Sequence, residues 1–494
     1  MKAKEKPIEK SADLIDMEEA IGLLKTTRQT FYRWLRSGKF KGMKVGRQWR
    51  FYREDIERFL KGEEPRIEVS GSLKPLAAAL GQRLAEAGKP LKPAEGTPTV
   101  EQVVNLMIKA AIALRASDLH LEMQAVADGD SPRGALRFRI DGVLQVAAEF
   151  EGGLLRPLIE RWKVMGAANV LETRVPQDCR IKLSLDGQLM DIRACFIPAT
   201  LGEALTARFL DPKRGPLTLD RMRFAPRDRQ AVDRFLALPW GLMVVSGPTG
   251  SGKTTALYAC LQQCVRPEIK VMSVEDPVEY ILPGVIQMQV RAADGLTYSA
   301  ALRSIMRSDP DVVMIGELRD KESMVMAQQM ALTGHLVMTV MHTQNAAQVL
   351  TRMVEAGSDP FNVAGSVKLI VGQRLARSLC KACSVESRPS PEELKRAKEL
   401  AEAGGLGWEA LPKTFRQAKG CAECRQTGYR GRTVIAEALE VTPAIVTALH
   451  QGASAGELQA VAVKQGMTTL AADGIRRAAA GETTLDEIFR MLPG

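Results

Sequence analysis

No apolar stretch in these 494 residues approaches the roughly 18 consecutive positions that a membrane-spanning helix needs. The opening MKAKEKPIEK is charged where a secretory leader would carry its apolar core. Both absences predict a cytoplasmic chain whose membrane contact, if any, is peripheral to the cytoplasmic membrane. No repeat of solenoid period is present either, which excludes a stacked-repeat architecture. Acidic residues are missing locally: Lys25 to Arg53 holds ten Lys or Arg and no Asp or Glu, in a chain of net charge +10. With 45% hydrophobic and 26% charged residues, the rest has the balance of a folded protein, long enough for three or four domains.

The strongest local signal lies near the middle. GLMVVSG is an apolar strand that runs into Gly247, Pro248, Thr249, Gly250, Ser251, Gly252, Lys253, Thr254 and Thr255, followed by the helical ALYACLQQCV. Glycines let such a loop turn its N–H groups inward, and the helix N-terminus adds positive potential, so the segment should cradle a polyphosphate. Lys253 would reach the β/γ-phosphates and Thr254 would offer a hydroxyl to Mg²⁺. Two further apolar strands end in carboxylates: VMSVEDPVEY with Glu275, Asp276 and Glu279, and DPDVVMIGELRD with Glu317 and Arg319. Such groups can hold Mg²⁺ through water or polarise an attacking water, though strand-end carboxylates also serve as caps. His335 and His342 flank the next strand, in TGHLVMTVMHT.

Two C-x-x-C pairs, Cys380/Cys383 and Cys421/Cys424, can close a tetrahedral Zn²⁺ site with no open position, a structural role; redox dithiols are the alternative. The interval between them reads as mostly helical, in PEELKRAKELAEA. Cys179, Cys195, Cys260 and Cys264 have no ligand spacing and read as buried thiols.

From about residue 99 to the end, the chain resembles the type II secretion and type IV pilus assembly ATPases. The resemblance rests on ASDLHLE, RFRIDG, RVPQDCR, the phosphate loop, VEDPVE, LRSIMRSDPD, IGELRD and the histidine segment, in that order. It implies a PAS-like α+β domain over 99–212 and a RecA-like α/β core over 213–494, with a zinc subdomain at 378–432. It also implies a homohexamer that uses ATP with Mg²⁺ and meets an inner-membrane platform protein. Arg193 and Arg208 of the first domain would reach the phosphates, with Arg303, Arg307 and Arg319 contributing from the core. A surface salt bridge is the plainer role for any one of these arginines. The zinc pairs match assembly and export members, since retraction motors typically lack them. Cys179 stands where the family usually has glycine, which puts the local turn in question.

Residues 13–62 form a basic, aromatic unit. Asp16 can cap a helix through Leu24, a second helix spans Arg28 to Arg36 with Gly38 to close it, and KFKGMKVGRQWRFYR reads as a hairpin turning at Gly46 before a last helix, Glu54 to Leu60. This unit resembles excisionase-like winged helix-turn-helix modules. By that likeness Arg28, Gln29, Thr30 and Arg33 would meet base edges of duplex DNA, while Lys44, Arg47 and Arg50 would meet phosphates. Protein docking through Phe31, Trp34 and Trp49 is the alternative. Residues 63–98 read as a flexible linker. The expected activity is ATP hydrolysis powering pilin or pseudopilin assembly, with Glu275 as general base and Glu317 ordering Mg²⁺-bound water, or the reverse. A DNA-binding regulator with a nucleotide-sensing scaffold, or a DNA-translocating motor, are the rival functions.

Overall fold

The computed structural model describes residues 14–36, 40, 42–45, 48–61, 71–90, 96–126, 131–185, 187–210, 218–318 and 320–492. Gly38, Gly46, Arg47 and Arg319, with residues 62–70 and 91–95, lie outside the described residues. The chain divides into two compact units, Met1–Pro212 and Lys213–Gly494.

The first unit opens with β1 (Leu14–Asp16), α1 (Met17–Leu23), α2 (Arg28–Arg36), β2 (Met43–Val45), β3 (Gln48–Tyr52) and α3 (Arg53–Leu60). The Asp16 carboxylate accepts the Glu19 N–H at 2.9 Å, which satisfies one of the unpaired donors at the start of α1. Phe31 and Leu35, one turn apart on α2, are buried with Ile15, Phe40, Phe51 and Ile56. Phe31 is therefore core, and the expectation that it faces a docking partner is corrected. The sheet order is β1-β3-β2. β1 was not expected: three residues alternating exposed, buried, exposed are too short to register as a strand.

The 63–98 segment is not one tether. It carries α4 (Lys74–Glu86), whose Leu76, Leu80 and Leu84 are buried in the same core as α5 (Val100–Ala113). Arg83 donates to the carbonyls of Ala147 and Val146, both at 3.2 Å. Burying three leucines is worth about 1.5–3 kcal/mol each, which outweighs the freedom of a linker at this point. Strands β4 (Ala116–Gln124), β5 (Arg133–Ile140), β6 (Val143–Glu151), β7 (Gln177–Leu185), β8 (Gln188–Ile197) and β9 (Ala204–Leu210) follow, with α6 (Leu155–Met165) after β6. They form a six-stranded sheet, β6-β5-β4-β9-β8-β7, whose adjacent strands are all antiparallel. Leu119, Leu121, Phe138, Ile192 and Ala207 fill one face with the helices. Residues one position out of phase put charge on the other face, as strand alternation requires. Cys179 sits within β7 opposite Ala194, so no turn is altered there; burial first pushes its thiol up to about 11.

The second unit starts with α7 (Leu219–Met222), α8 (Pro226–Leu236), β10 (Gly241–Ser246), α9 (Lys253–Cys264), β11 (Val271–Glu275) and β12 (Val285–Gln289). It continues through α10 (Tyr298–Ile305), β13 (Val312–Ile315), α11 (Lys321–Leu332), β14 (Leu336–Met341), α12 (Ala347–Glu355), α13 (Pro360–Ser366) and β15 (Val367–Leu379). The remainder is β16 (Val385–Glu386), α14 (Pro391–Ala403), β17 (Arg416–Gln417), β18 (Tyr429–Glu440), α15 (Pro443–His450), α16 (Ala455–Lys464), α17 (Leu470–Ala479) and α18 (Leu485–Met491). The main sheet runs β12-β11-β13-β14-β10-β15-β18, parallel except for β18. Alternate residues of β10 enter different cores, Leu242 and Val244 on one side, Met243 and Val245 on the other. That two-sided burial explains why the parallel strands read as continuous apolar runs. Among the described residues no helix is long and apolar enough to cross a membrane.

Candidate functional site

In a parallel sheet the loops at the carboxyl ends of the strands gather at one edge, where ligands bind. β10 delivers the loop Gly247–Gly252 there, and α9 begins at Lys253. Gly247 has φ +149° and a Cβ on it would lie 2.4 Å from the Gln373 carbonyl oxygen. Gly252, at φ +89°, would meet the Gln373 side-chain nitrogen at 2.7 Å. Only glycine lets the loop approach β15 so closely. Lys253 is buried and donates to the carbonyls of Gly247 and Pro248 at 2.8 and 2.9 Å. Burial, and then the Arg374 guanidinium, push its ammonium down to about 8 against the pull of Glu317. Thr254 is exposed at the helix start, beside the loop.

The two carboxylates sit differently. Glu275 ends β11 and is 3% exposed. Ser273 Oγ donates to its Oε1 at 2.5 Å, Gln287 Nε2 donates to the same oxygen at 3.0 Å, and the Tyr258 hydroxyl donates to Oε2. Tyr258 comes from α9, and burial, reinforced by Glu275, holds its hydroxyl protonated well above the ordinary tyrosine range. Glu317 follows β13 with a side chain 24% exposed and lies 3.6 Å from His342 Nε2. Thus Glu317 and His342, predicted separately, are brought together at adjacent strand ends. Tyr258, Ser273 and Gln287 escaped the sequence reading because hydroxyls and amides carry no motif of their own.

His335 is a correction. It precedes β14, whose Leu336 pairs in parallel with Gly241, so it lies at the amino end of the strands, opposite the loop. Six strand residues separate the two edges by about 20 Å. Its Nδ1 lies 2.9 Å from the Met330 carbonyl, a local capping contact. Strand direction relative to β10 was the signal that could have excluded it.

Of the arginines, Arg303 is exposed and paired with Glu322 at 2.7 Å, while Arg307 is exposed just after α10. In the first unit Arg208 Nε donates to Asp118 at 2.9 Å, and Arg193 stands directly opposite Arg208 in the β8–β9 register. Both lie on the charged face of the six-stranded sheet.

The cysteine pairs converge because β15 and β18 are antiparallel partners, with Leu379 opposite Tyr429. Cys380 follows β15 and Cys421–Cys424 precede β18. All four sulfurs lie within 4.8 Å of one another, with separations of 3.9, 3.6 and 3.7 Å for Cys380–Cys421, Cys383–Cys424 and Cys421–Cys424. A tetrahedron with metal–sulfur bonds of about 2.3 Å has edges of about 3.8 Å, so the donor set fits Zn²⁺. Burial opposes ionisation of Cys424, yet N–H donors from Cys421 and Gly428 and the neighbouring thiols bring it down to about 7. The intervening helix α14 is opened by a Ser390–Glu393 capping box.

On α2, Gln29 and Arg33 are exposed on the side away from Phe31 and Leu35, and Arg28 is exposed at the helix start, 3.8 Å from Glu18. Thr30 is engaged locally, its hydroxyl accepting from Thr27 at 3.1 Å. Lys44 lies on β2, and Arg50 on β3 donates to Gln48 at 2.9 Å and pairs loosely with Asp16.

Comparison with known proteins returns two families: "Type II/IV secretion system protein" over residues 93–490 and "Helix-turn-helix domain" over 14–64. The chain is 39% identical over 425 residues to the type II secretion system protein E of Pseudomonas aeruginosa, covering 86% of this chain and 81% of that protein. It is 36% identical over 427 residues to the type IV pilus assembly ATPase PilB of Thermus thermophilus, covering 86% of this chain and 46% of that one. The fold is similar to that of the ATPase DotB of Legionella pneumophila, with TM-score 0.58, 18% identity, and 81% of this chain and 98% of that chain covered. It is also similar to the pilus retraction motor PilT, with TM-score 0.53, 22% identity, and 79% and 97% covered.

Proposed function

This chain belongs to the type II/IV secretion system protein family, and on that premise we propose that it acts as a homohexameric ring that couples ATP hydrolysis to pilin or pseudopilin assembly. It is an ATPase motor of the secretion and pilus assembly kind and uses ATP with Mg²⁺. The observation that carries the site assignment is the phosphate loop with Lys253, flanked at neighbouring strand ends by Glu317 and His342. Steady-state hydrolysis by the purified full chain tests it; a chain that binds nucleotide without turnover would instead be a sensing scaffold.

The difference between the two carboxylates supports Glu317 as the group that faces the metal-bound or attacking water. Glu275 already accepts three hydrogen bonds and anchors β11 to α9. A base needs an accessible lone pair, and Glu317 is the more exposed of the two. Thr254 would complete the Mg²⁺ ligands, with the loop amides and Lys253 on the polyphosphate. Arg193 and Arg208 would supply further cations to the phosphates, Asp118 orienting Arg208 through its Nε. The first unit's sheet is read as the PAS-like domain and the second unit as the RecA-like core. An inner-membrane platform protein is the expected partner, reached from the cytoplasmic side.

The four cysteines would hold a structural Zn²⁺ that staples the ends of β15 and β18. About one zinc per chain is expected after purification, measured by atomic emission, and Cys421→Ser should lose it and lower the thermal midpoint. Metal-free protein of unchanged stability would assign these thiols elsewhere.

The N-terminal module is read as a duplex DNA binder. On α2, Arg28, Gln29 and Arg33 are exposed, while Phe31 and Leu35 are held in the module's core. The full chain should retain duplex DNA with an affinity that falls steeply with salt, a log–log slope of about −5 corresponding to six phosphate contacts. Arg50→Ala should flatten that slope by about one, whereas Arg33→Ala should relax preference at one base pair by about 1–3 kcal/mol. No DNA retention at low salt would leave docking, through Trp34 or Trp49, as the module's role.

A further inference from the structure

Beside the phosphate loop stands a cation that no motif announced. β15 runs parallel to β10 with Gly372 opposite Ser246, so Gln373 and Arg374 emerge level with Gly247. Gln373 Nε2 donates to the Ser251 carbonyl at 2.8 Å, clamping the loop from one side. Arg374 lies over the loop's first glycine: a Cβ built on Gly247 would be 3.2 Å from its Nη1. Nη1 donates to the Gln373 carbonyl at 3.2 Å, and Nη2 donates to the Gln344 carbonyl at 2.7 Å. Gln344 lies two residues after His342, and the same short segment is held at its other end by Glu437, which accepts the Ala346 N–H at 2.6 Å.

The charge arrangement asks for an anion. Lys253 is buried and its neighbour Arg374 partly so, and among the described residues neither is held in an ion pair. Both donate to main-chain carbonyls, which orient a cation without neutralising it. Burial lowers the affinity of each for its proton and Arg374 lowers that of Lys253 further, while Glu317 opposes this at Lys253 and Glu437 at Arg374. Two like charges kept close in a partly desolvated pocket are costly unless a polyanion joins them. A guanidinium has five N–H donors and two are used here, so Arg374 can keep its carbonyls and still offer N–H groups to a phosphate.

We propose that Arg374 is a phosphate-contacting cation of the nucleotide site and, through the Gln344 carbonyl, ties nucleotide occupancy to the segment that carries His342. This rests on the loop 247–255 being the ATP site. His342 faces Glu317, so whatever displaces Gln344 acts on the pair that faces the reacting water. A lysine would restore charge but not span two carbonyls, because an ammonium lacks the planar fork of a guanidinium.

The test uses the full chain, MgATP affinity with a non-hydrolysable analogue, and hydrogen exchange at residues 344–346. Arg374→Ala should weaken analogue binding about tenfold or more, the loss of one charge-assisted hydrogen bond to phosphate. It should also raise amide exchange at 344–346 before nucleotide is added. Arg374→Lys should recover most of the affinity but not the exchange protection. Analogue affinity in Arg374→Ala within twofold of the parent overturns the proposal, as does unchanged exchange at 344–346. Should Arg374→Ala fail to fold, parental behaviour of Arg374→Lys in both readouts overturns it. Lys253→Ala serves as control: if it too binds the analogue normally, the site assignment fails rather than the role of Arg374.

Discussion

Replacing Lys253 with alanine is expected to abolish ATP hydrolysis by the full chain. The lysine stem crosses a buried position, and its ammonium already sits over the loop between two carbonyls, so little reorganisation is needed to meet a phosphate. Removing it deletes the point charge that offsets the charge spreading over the transferring phosphoryl group. The low affinity of this lysine for its proton without ligand follows from burial and from Arg374. A bound polyphosphate opposes both effects and holds it charged. Phosphate release measured under saturating nucleotide should fall to background; residual turnover within tenfold of the parent would move the phosphate site elsewhere.

The second large effect is expected at Glu317. Glu317→Gln keeps size and hydrogen-bonding shape but cannot take a proton, so nucleotide affinity should persist while turnover drops about two orders of magnitude or more. Glu275→Gln is the informative comparison. An amide there would turn its NH2 either toward Ser273 and Gln287 or toward the Tyr258 hydroxyl, all of which donate to that carboxylate, so the damage should appear first as lost stability. Thermal melts and single-turnover rates on both variants separate the two. If Glu275→Gln loses turnover at unchanged stability, and more than Glu317→Gln does, the base is Glu275.

Legibility in the sequence was uneven, for identifiable reasons. The helices α2 and α14 were read with the bounds the structure has, because their apolar spacing and caps are local. The charged ends of β11 and β13 were also visible, since an apolar run followed by acid is a local pattern. Which of the two acids is enclosed was not visible. Glu275 is enclosed by Tyr258, from a helix earlier in the chain, and by Gln287 from the edge strand β12. Residues 63–98 read as a flexible linker, although Leu76, Leu80 and Leu84 recur there at helical spacing. What decided the matter was the apolar groove beside α5 and β6 into which they fit.

By itself, then, the sequence determined the phosphate loop, the pairing of cysteines into a four-thiol set, and the helical face of the N-terminal module. Each of these is set by spacing along a few covalently joined residues, where backbone geometry leaves few outcomes. Only the tertiary structure decided that His335 stands at the wrong edge of the sheet, that Glu317 rather than Glu275 is open to water, and that Arg374 covers Gly247. Those depend on strand direction and on which distant segments supply burial and donors. Such contacts are properties of the folded packing, since β10 and β15 lie more than a hundred residues apart in sequence yet place Gly372 beside Ser246.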